Sequence, residues 1–167
     1  MPIRRLTEAD AGAYLALRRE MLNEAPWAFS SSLEDDRHLG NPDELARALS
    51  APDQAIVGAF ESAGALVGAA GLYREQRRKM AHRARIWGVY IAPAARGKGL
   101  GAPLMTAAID LARGWPEVRS VGLSVSERSV AARRLYERLG FRQWGLEPGA
   151  LTWEGVAYDE VHMVLEL

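Results

Sequence analysis

The apolar positions of this chain recur with two different periods, and the switches between them predict its elements. Ile3 to Leu6 alternates and reads as a short first strand. From about Glu8 to Glu24 the spacing turns helical, with Tyr14, Leu17 and Met21 on one face and Leu15 and Leu22 widening it, and Thr7 and Asp10 supply cap chemistry ahead of it. Ala25 to Asp36 is a serine-rich acidic loop carrying two large aromatics, Trp27 and Phe29, which either tuck beneath the loop or line a pocket. Pro42 opens a second helix over Asp43–Ser50, with Leu45 and Leu49 one turn apart.

Gln54 to Glu61 and Ala65 to Tyr73 are strand-like runs joined by Ser62-Ala63-Gly64, and Met80 to Ile91 returns as a longer strand after a charged tip, Arg74 to Lys79. Arg74, Arg77, Arg78, Lys79, Arg83 and Arg85 read as a solvated charge run at that hairpin end. After a glycine-rich loop, Leu100, Leu104, Ala107, Ala108 and Leu111 give a helical face that Gly114-Trp115-Pro116 stops. Ser120 to Val125 reads as a strand parallel to the one ending at Ile91, because a helix intervenes. Ala132, Leu135, Tyr136 and Leu139 then mark a helix stopped by Gly140, and strands over Arg142–Leu146 and Val156–Leu167 follow, joined at Pro148-Gly149. The sum is an α+β domain with a mixed, mainly antiparallel central sheet, and residues 1–167 read as one domain.

Chemistry concentrates where Val89-Tyr90-Ile91-Ala92-Pro93 gives way to Arg96-Gly97-Lys98-Gly99-Leu100-Gly101-Ala102. A strand, a glycine-rich turn and a helix start form an anion-binding junction, because first-turn amides lack internal acceptors and carry the positive end of the helix dipole. Arg96 and Lys98 would add two positive groups beside the same phosphate. A Walker loop is excluded, since no Gly-Lys pair here is followed by Ser or Thr. The dinucleotide fingerprint is met formally by Gly97, Gly99 and Ala102, with Glu117 near the place of the ribose-binding acid, but hairpin strands precede the loop where that unit needs a strand-helix-strand. The pattern Arg/Gln-x-x-Gly-x-Gly/Ala is met by Arg96, Gly99 and Gly101 without a gap.

With that loop and a second segment about thirty residues on, Leu123 to Phe141, the chain resembles the GNAT superfamily of acetyl-coenzyme A dependent N-acetyltransferases. Ala132, the Leu135-Tyr136 pair and Gly140-Phe141 carry the second half of the match. The resemblance implies helices on both faces of the sheet, two parallel strands that splay apart, and acetyl transfer from acetyl-coenzyme A to a primary amine of a small molecule or peptide. It assigns pyrophosphate to the loop Arg96 to Ala102, pantetheine to the backbone of Val89, Tyr90 and Ile91, and protonation of the leaving sulfur to Tyr136. Ser129 stands where the family usually has a pantetheine-facing asparagine, and Ser124 where the branch acting on ribosomal-protein N-termini has a glutamate base. Deprotonation of the amine therefore falls to Glu34, Asp35, Glu127, His82 or a water chain. Trp27, Phe29 and Glu34 are the acceptor-side candidates and suggest a cationic amine with an apolar body. A non-catalytic acyl-coenzyme A sensor and a dinucleotide-binding enzyme are the alternatives.

Composition narrows the rest. Lys+Arg and Asp+Glu are both 21, so no global field recruits nucleic acid or an anionic membrane. The absence of cysteine removes disulfides, thiolate catalysis and cysteine metal sites, and His38, His82 and His162 stand singly, so no metal is expected. The N-terminal Met1-Pro2-Ile3-Arg4-Arg5 has no apolar signal core and no run approaches 18 apolar residues, which predicts a cytoplasmic protein; a homodimer is compatible with the sequence.

Overall fold

The computed structural model describes residues 1–167. Its seven strands are β1 (Ile3–Arg5), β2 (Gln54–Phe60), β3 (Leu66–Arg74), β4 (Arg83–Ile91), β5 (Ser120–Ser126), β6 (Arg142–Trp153) and β7 (Val156–Glu166). They form one sheet in the order β1-β2-β3-β4-β5-β7-β6, antiparallel throughout except for the parallel pair β4–β5. The helices are α1 (Ala11–Glu24), α2 (Arg37–Gly40), α3 (Pro42–Ser50), α4 (Gly101–Arg113) and α5 (Val130–Arg138). No helix is long and apolar enough to cross a membrane.

Both faces of the sheet are covered, which is why β2 reads as a near-continuous apolar run. Ala55, Val57 and Ala59 join Leu104, Met105, Ala108, Val121 and Leu123 in the core under α4 and α5. The alternate residues Ile56 and Phe60 join Tyr14, Leu17, Met21, Leu45 and Leu49 under α1 and α3. Thr7 and Asp10 cap as expected, with the Asp10 carboxylate accepting from the Thr7 amide at 2.8 Å, although the first turn, Glu8–Asp10, is a tighter 3-10 turn before α1 begins.

Two local irregularities shape the site. The parallel pairing runs only from Arg83↔Ser120 to Arg85↔Gly122, so β4 and β5 diverge beyond it and the β4 edge over Ile86–Ile91 has no strand beside it. Within that open stretch the register with β3 shifts between Ala69↔Tyr90 and Gly71↔Trp87, placing one extra residue in β4. Gly88 absorbs the bulge at φ +58, a backbone conformation that glycine adopts without a Cβ clash.

Two sequence expectations are corrected. β6 does not stop at Leu146: it runs on through Pro148 and Gly149 to Trp153, and the turn lies at Glu154-Gly155, where both residues take positive φ. As the outermost strand, β6 tolerates the proline because the lost N–H is not needed by a further neighbour, and the register shift between Glu147 and Leu151 absorbs the distortion. Met80 to His82 is not strand, since a 3-10 turn over Arg78–Met80 precedes β4. Between the acidic loop and Pro42 lies α2, nucleated by Asp36, whose side chain accepts from the amides of His38 and Leu39 at 3.1 Å each.

Candidate active site

The glycine-rich loop is built to expose amides. Gly97 and Gly99 take φ of +77 and +74, and none of the amides of Gly97, Lys98, Gly99 and Leu100 donates to the chain's own carbonyls. The helical bonding of α4 starts only when Leu104 donates to the Leu100 carbonyl, so the first-turn amides of Gly101 and Ala102 have no acceptor in their own helix either. Successive unpaired N–H groups at a helix N-terminus form an anion-binding concavity. Nothing lies within 4 Å of a Cβ built on Gly97 or Gly99, so the concavity is open, whereas a Cβ on Gly101 would meet Leu135 of α5 at 2.9 Å.

The loop's cationic side chains do not add to that concavity in the way the sequence suggests. Arg96 donates through Nη1 and Nη2 to both oxygens of Glu24 on α1, at 3.0 and 2.7 Å, and through Nε to the Ile91 carbonyl. Lys98 lies 3.1 Å from Glu61. The Arg96 bond holds the Glu24 carboxyl below its usual range, so this pair stays ionised and fastens the loop to α1. The free donors of the loop are therefore its main-chain amides.

Beside the loop lies the cleft between β4 and β5. Val89, Tyr90 and Ile91 lie on the strand that borders it, beyond the last β4–β5 pair, while the Tyr90 side chain is buried and its hydroxyl donates to Glu20 at 3.3 Å. Tyr136 of α5 belongs to the core cluster that includes Ile86 of β4 and Leu123 and Val125 of β5, is 4% exposed, and has its ring 6.0 Å from that of Phe141. Its hydroxyl makes no hydrogen bond within the chain, and burial raises the phenol's pKa, so the proton stays on through the neutral range. Ser129 occupies the N-cap of α5, but its side chain makes no cap hydrogen bond.

On the α1 side of the sheet a cleft of about 340 Å³ opens over the β4 bulge, lined by Trp87 and Gly88 and walled by Arg18, Arg37, His38, Phe29 and Arg74. No acidic residue lines it. Arg18 in its lining is ion-paired to a buried carboxylate outside it, donating through Nε and Nη2 to Asp36 Oδ2 at 3.0 and 2.6 Å. The Arg18 guanidinium also lies 5.5 Å from the Trp87 ring, and its Nη1 fills the space a side chain at Gly88 would take. His38 Nδ1 and Arg74 Nε are buried without a partner, and burial lowers the His38 pKa, leaving a neutral imidazole. Arg74 thus leaves the solvated run expected for it and becomes part of the wall.

The acceptor-loop residues divide. Phe29 lines this cleft and a second one between the loop and β6. Trp27 stacks on Tyr158 of β7, centroids 6.1 Å apart, and Glu34 lies exposed in the second cleft with Asp35. Of the expected bases, His82 sits just before β4, at the paired end of the β4–β5 pair and away from its open end, and Glu127 is exposed beyond β5. Sequence reasoning missed Arg18, His38, Trp87 and a row of polar groups on β5, β7 and β6, because each belongs to the site only through long-range packing.

An open amide loop and two splayed parallel strands thus lie on one α+β sheet, with a buried phenol in its core. A model of the Acetyltransferase (GNAT) family matches residues 16–141, and the chain belongs to that family. N-alpha-acetyltransferase RimI of Mycobacterium tuberculosis is 32% identical over 142 residues, covering 84% of this chain and 78% of that protein. "Putative phosphinothricin acetyltransferase YwnH" of Bacillus subtilis is 35% identical over 71 residues, which span 42% of this chain and only 43% of that relative. The solved structure of yncA from Salmonella typhimurium, with its cofactor acetyl-CoA, superposes with a TM-score of 0.85 at 25% identity, covering 100% of this chain and 94% of that one. Acetyl-coenzyme A is the co-substrate of this family.

Proposed function

We propose that this chain transfers the acetyl group of acetyl-coenzyme A to a primary amine that also carries an anionic group, an α-amino acid being the simplest such acceptor. The observation that carries the reading is the arginine-lined cleft over the β4 bulge, contiguous with the strand whose open edge faces the splay. Three arginines line the cleft, each with a carboxylate partner outside the lining, Arg18 with Asp36, Arg37 with Glu44 at 2.6 Å and Arg74 with Glu117 at 3.8 Å. The donors those pairs leave over favour an anion there, a different acceptor from the cationic amine that Trp27, Phe29 and Glu34 suggest in sequence. Acetyl-coenzyme A supplies the activated acetyl group; the chain's part is to bind and orient. Amides from Gly97 to Ala102 take the pyrophosphate, and the β4 edge at Val89, Tyr90 and Ile91 pairs with the pantetheine amides. The exposed apolar side chains of the outer strand, Trp144, Leu146 and Trp153, are where we place a homodimer contact.

Coenzyme A release over a panel of amino acids, polyamines, aminoglycosides and peptide N-termini tests this reading. Turnover confined to anionic amines supports it, whereas a preference for polyamines removes the anion from the acceptor cleft. Silence across the panel despite tight coenzyme binding would leave a sensor. Arg74→Gln should raise KM for the best amino acid by about 10- to 100-fold with a smaller change in kcat, since a charge-assisted hydrogen bond contributes about 1.5 to 3 kcal/mol. Gly99→Glu should weaken acetyl-coenzyme A by a similar 10- to 100-fold in calorimetry, because it brings a carboxylate to the amide concavity and strains a backbone at φ +74. Unchanged affinity in a folded variant takes the pyrophosphate away from this loop.

A further inference from the structure

Three polar side chains from three neighbouring strands stand in line on the sheet face that carries α1. Ser124 of β5 is directly opposite His162 of β7, and Ser124 Oγ lies 2.8 Å from His162 Nδ1. The other ring nitrogen, Nε2, lies 2.9 Å from Glu147 Oε2 of β6. A carboxylate only accepts, so the proton belongs on Nε2, Nδ1 keeps its lone pair, and the Ser124 hydroxyl is the donor to it. The imidazole is held flat by Trp144, whose ring stacks on it at 5.3 Å and 30°.

Position gives the row its meaning. Val121, Leu123 and Val125 enter the core under α4, so the alternate residues Gly122 and Ser124 face the other side. Gly122 is the last β5 residue paired with β4, and Ser124 stands two residues further on, at the mouth of the splay. The far end of the row reaches solvent, as the Glu147 side chain is 57% exposed.

We propose that Ser124, His162 and Glu147 form the relay through which the acceptor ammonium loses its proton, an inference that rests on the acetyltransferase reading above. The ammonium N–H proton passes to Ser124 Oγ while the hydroxyl's own proton passes to His162 Nδ1. Serine ends as a hydroxyl, the amine ends neutral, and the imidazolium formed beside Glu147 discharges its proton to water. The charged groups around the ring agree with this. Glu160 of β7 is driven toward its neutral form by burial, and Arg85 of β4 lies over Gly122. Arg128 is turned to the Tyr158 ring, and the Pro26–Ala28 turn that packs on this face brings no charge. Ser124 is thus a serine in place of a carboxylate base, and its base is one strand away.

The test is kcat/KM across pH 6 to 9.5 for wild type, Ser124→Ala, His162→Gln and Glu147→Gln, using acetyl-coenzyme A and the amino acid turned over fastest in the panel. General-base loss is expected to lower kcat/KM about 10²- to 10⁴-fold near neutrality in His162→Gln. That deficit should shrink steadily as pH approaches the amine's own pKa, with acetyl-coenzyme A affinity unchanged by calorimetry. If His162→Gln fails to fold, Ser124→Ala carries the same test, since it removes one hydroxyl from a half-buried position. A deficit independent of pH, or rates within about threefold of wild type, overturns the relay while wild-type turnover keeps the acetyltransferase reading. A wild type silent on every amine overturns both.

Discussion

Asp36→Ala is expected to cost about 3 to 5 kcal/mol of stability, the largest single loss in this fold outside its apolar core. Arg18 and Asp36 have side chains 6% and 0% exposed, and the carboxylate does two tasks at once. Oδ2 takes both donors from Arg18, and Oδ1 caps α2 through His38 and Leu39. Truncation leaves a buried guanidinium with only Met21 Sδ, 3.8 Å away, and two uncapped amides. The Arg4–Asp10 pair is the contrast: Arg4 is 48% exposed and water replaces its partner, so Asp10→Ala should cost about 1 kcal/mol, mostly through the lost cap.

The pH dependence follows from the same pair. Burial pushes the Asp36 carboxyl upward, but the hydrogen bonds and charge of Arg18 outweigh it, and the pKa ends below its ordinary value. A depressed folded-state pKa contributes stability that is present above the unfolded value of about 3.9 and is lost as pH falls through the folded one. Urea midpoints for wild type should therefore fall in acid below about pH 4, and Asp36→Asn should flatten that fall. A variant whose midpoint drops as steeply as wild type would place the acid-labile group elsewhere.

How far the sequence reached depends on the range of each interaction. The amide loop is local: Gly97, Gly99 and the start of α4 lie within a few residues, and their pattern already carries the geometry that the structure displays. The meander and the parallel pair follow from periodicity and the intervening helix for the same reason. Pro148-Gly149 misled because turn chemistry outranks pairing in a short window, while the outer position of β6 lets the strand run past it. The partners of Arg96 and Tyr90 lie about seventy residues away in α1, and Ser124 and His162 are separated by 38, so no local pattern shows them. His162 looks solitary in the chain and becomes one of three in the sheet. The bulge at Gly88 is equally silent, since its glycine matters only once Arg18 is packed against it.

Tyr136→Phe is expected to lower kcat by about 10²-fold or more with little change in acetyl-coenzyme A affinity. The substitution keeps the ring and its contact with Phe141 while removing only the hydroxyl, which makes no hydrogen bond in the chain. Loss of a hydroxyl without a partner should not cost stability, so thermal unfolding close to wild type is part of the expected result. Burial holds the phenol above its ordinary pKa of about 10, which fixes the sign on the alkaline side. The proton remains available throughout the working range, and Tyr136 should contribute no descending limb to the kcat profile below about pH 10. Tyr136→Phe should therefore scale the whole profile down without moving its acidic limb. Normal turnover in Tyr136→Phe would mean that water or another donor protonates the departing sulfur, leaving Tyr136 as a core aromatic between α5 and Phe141.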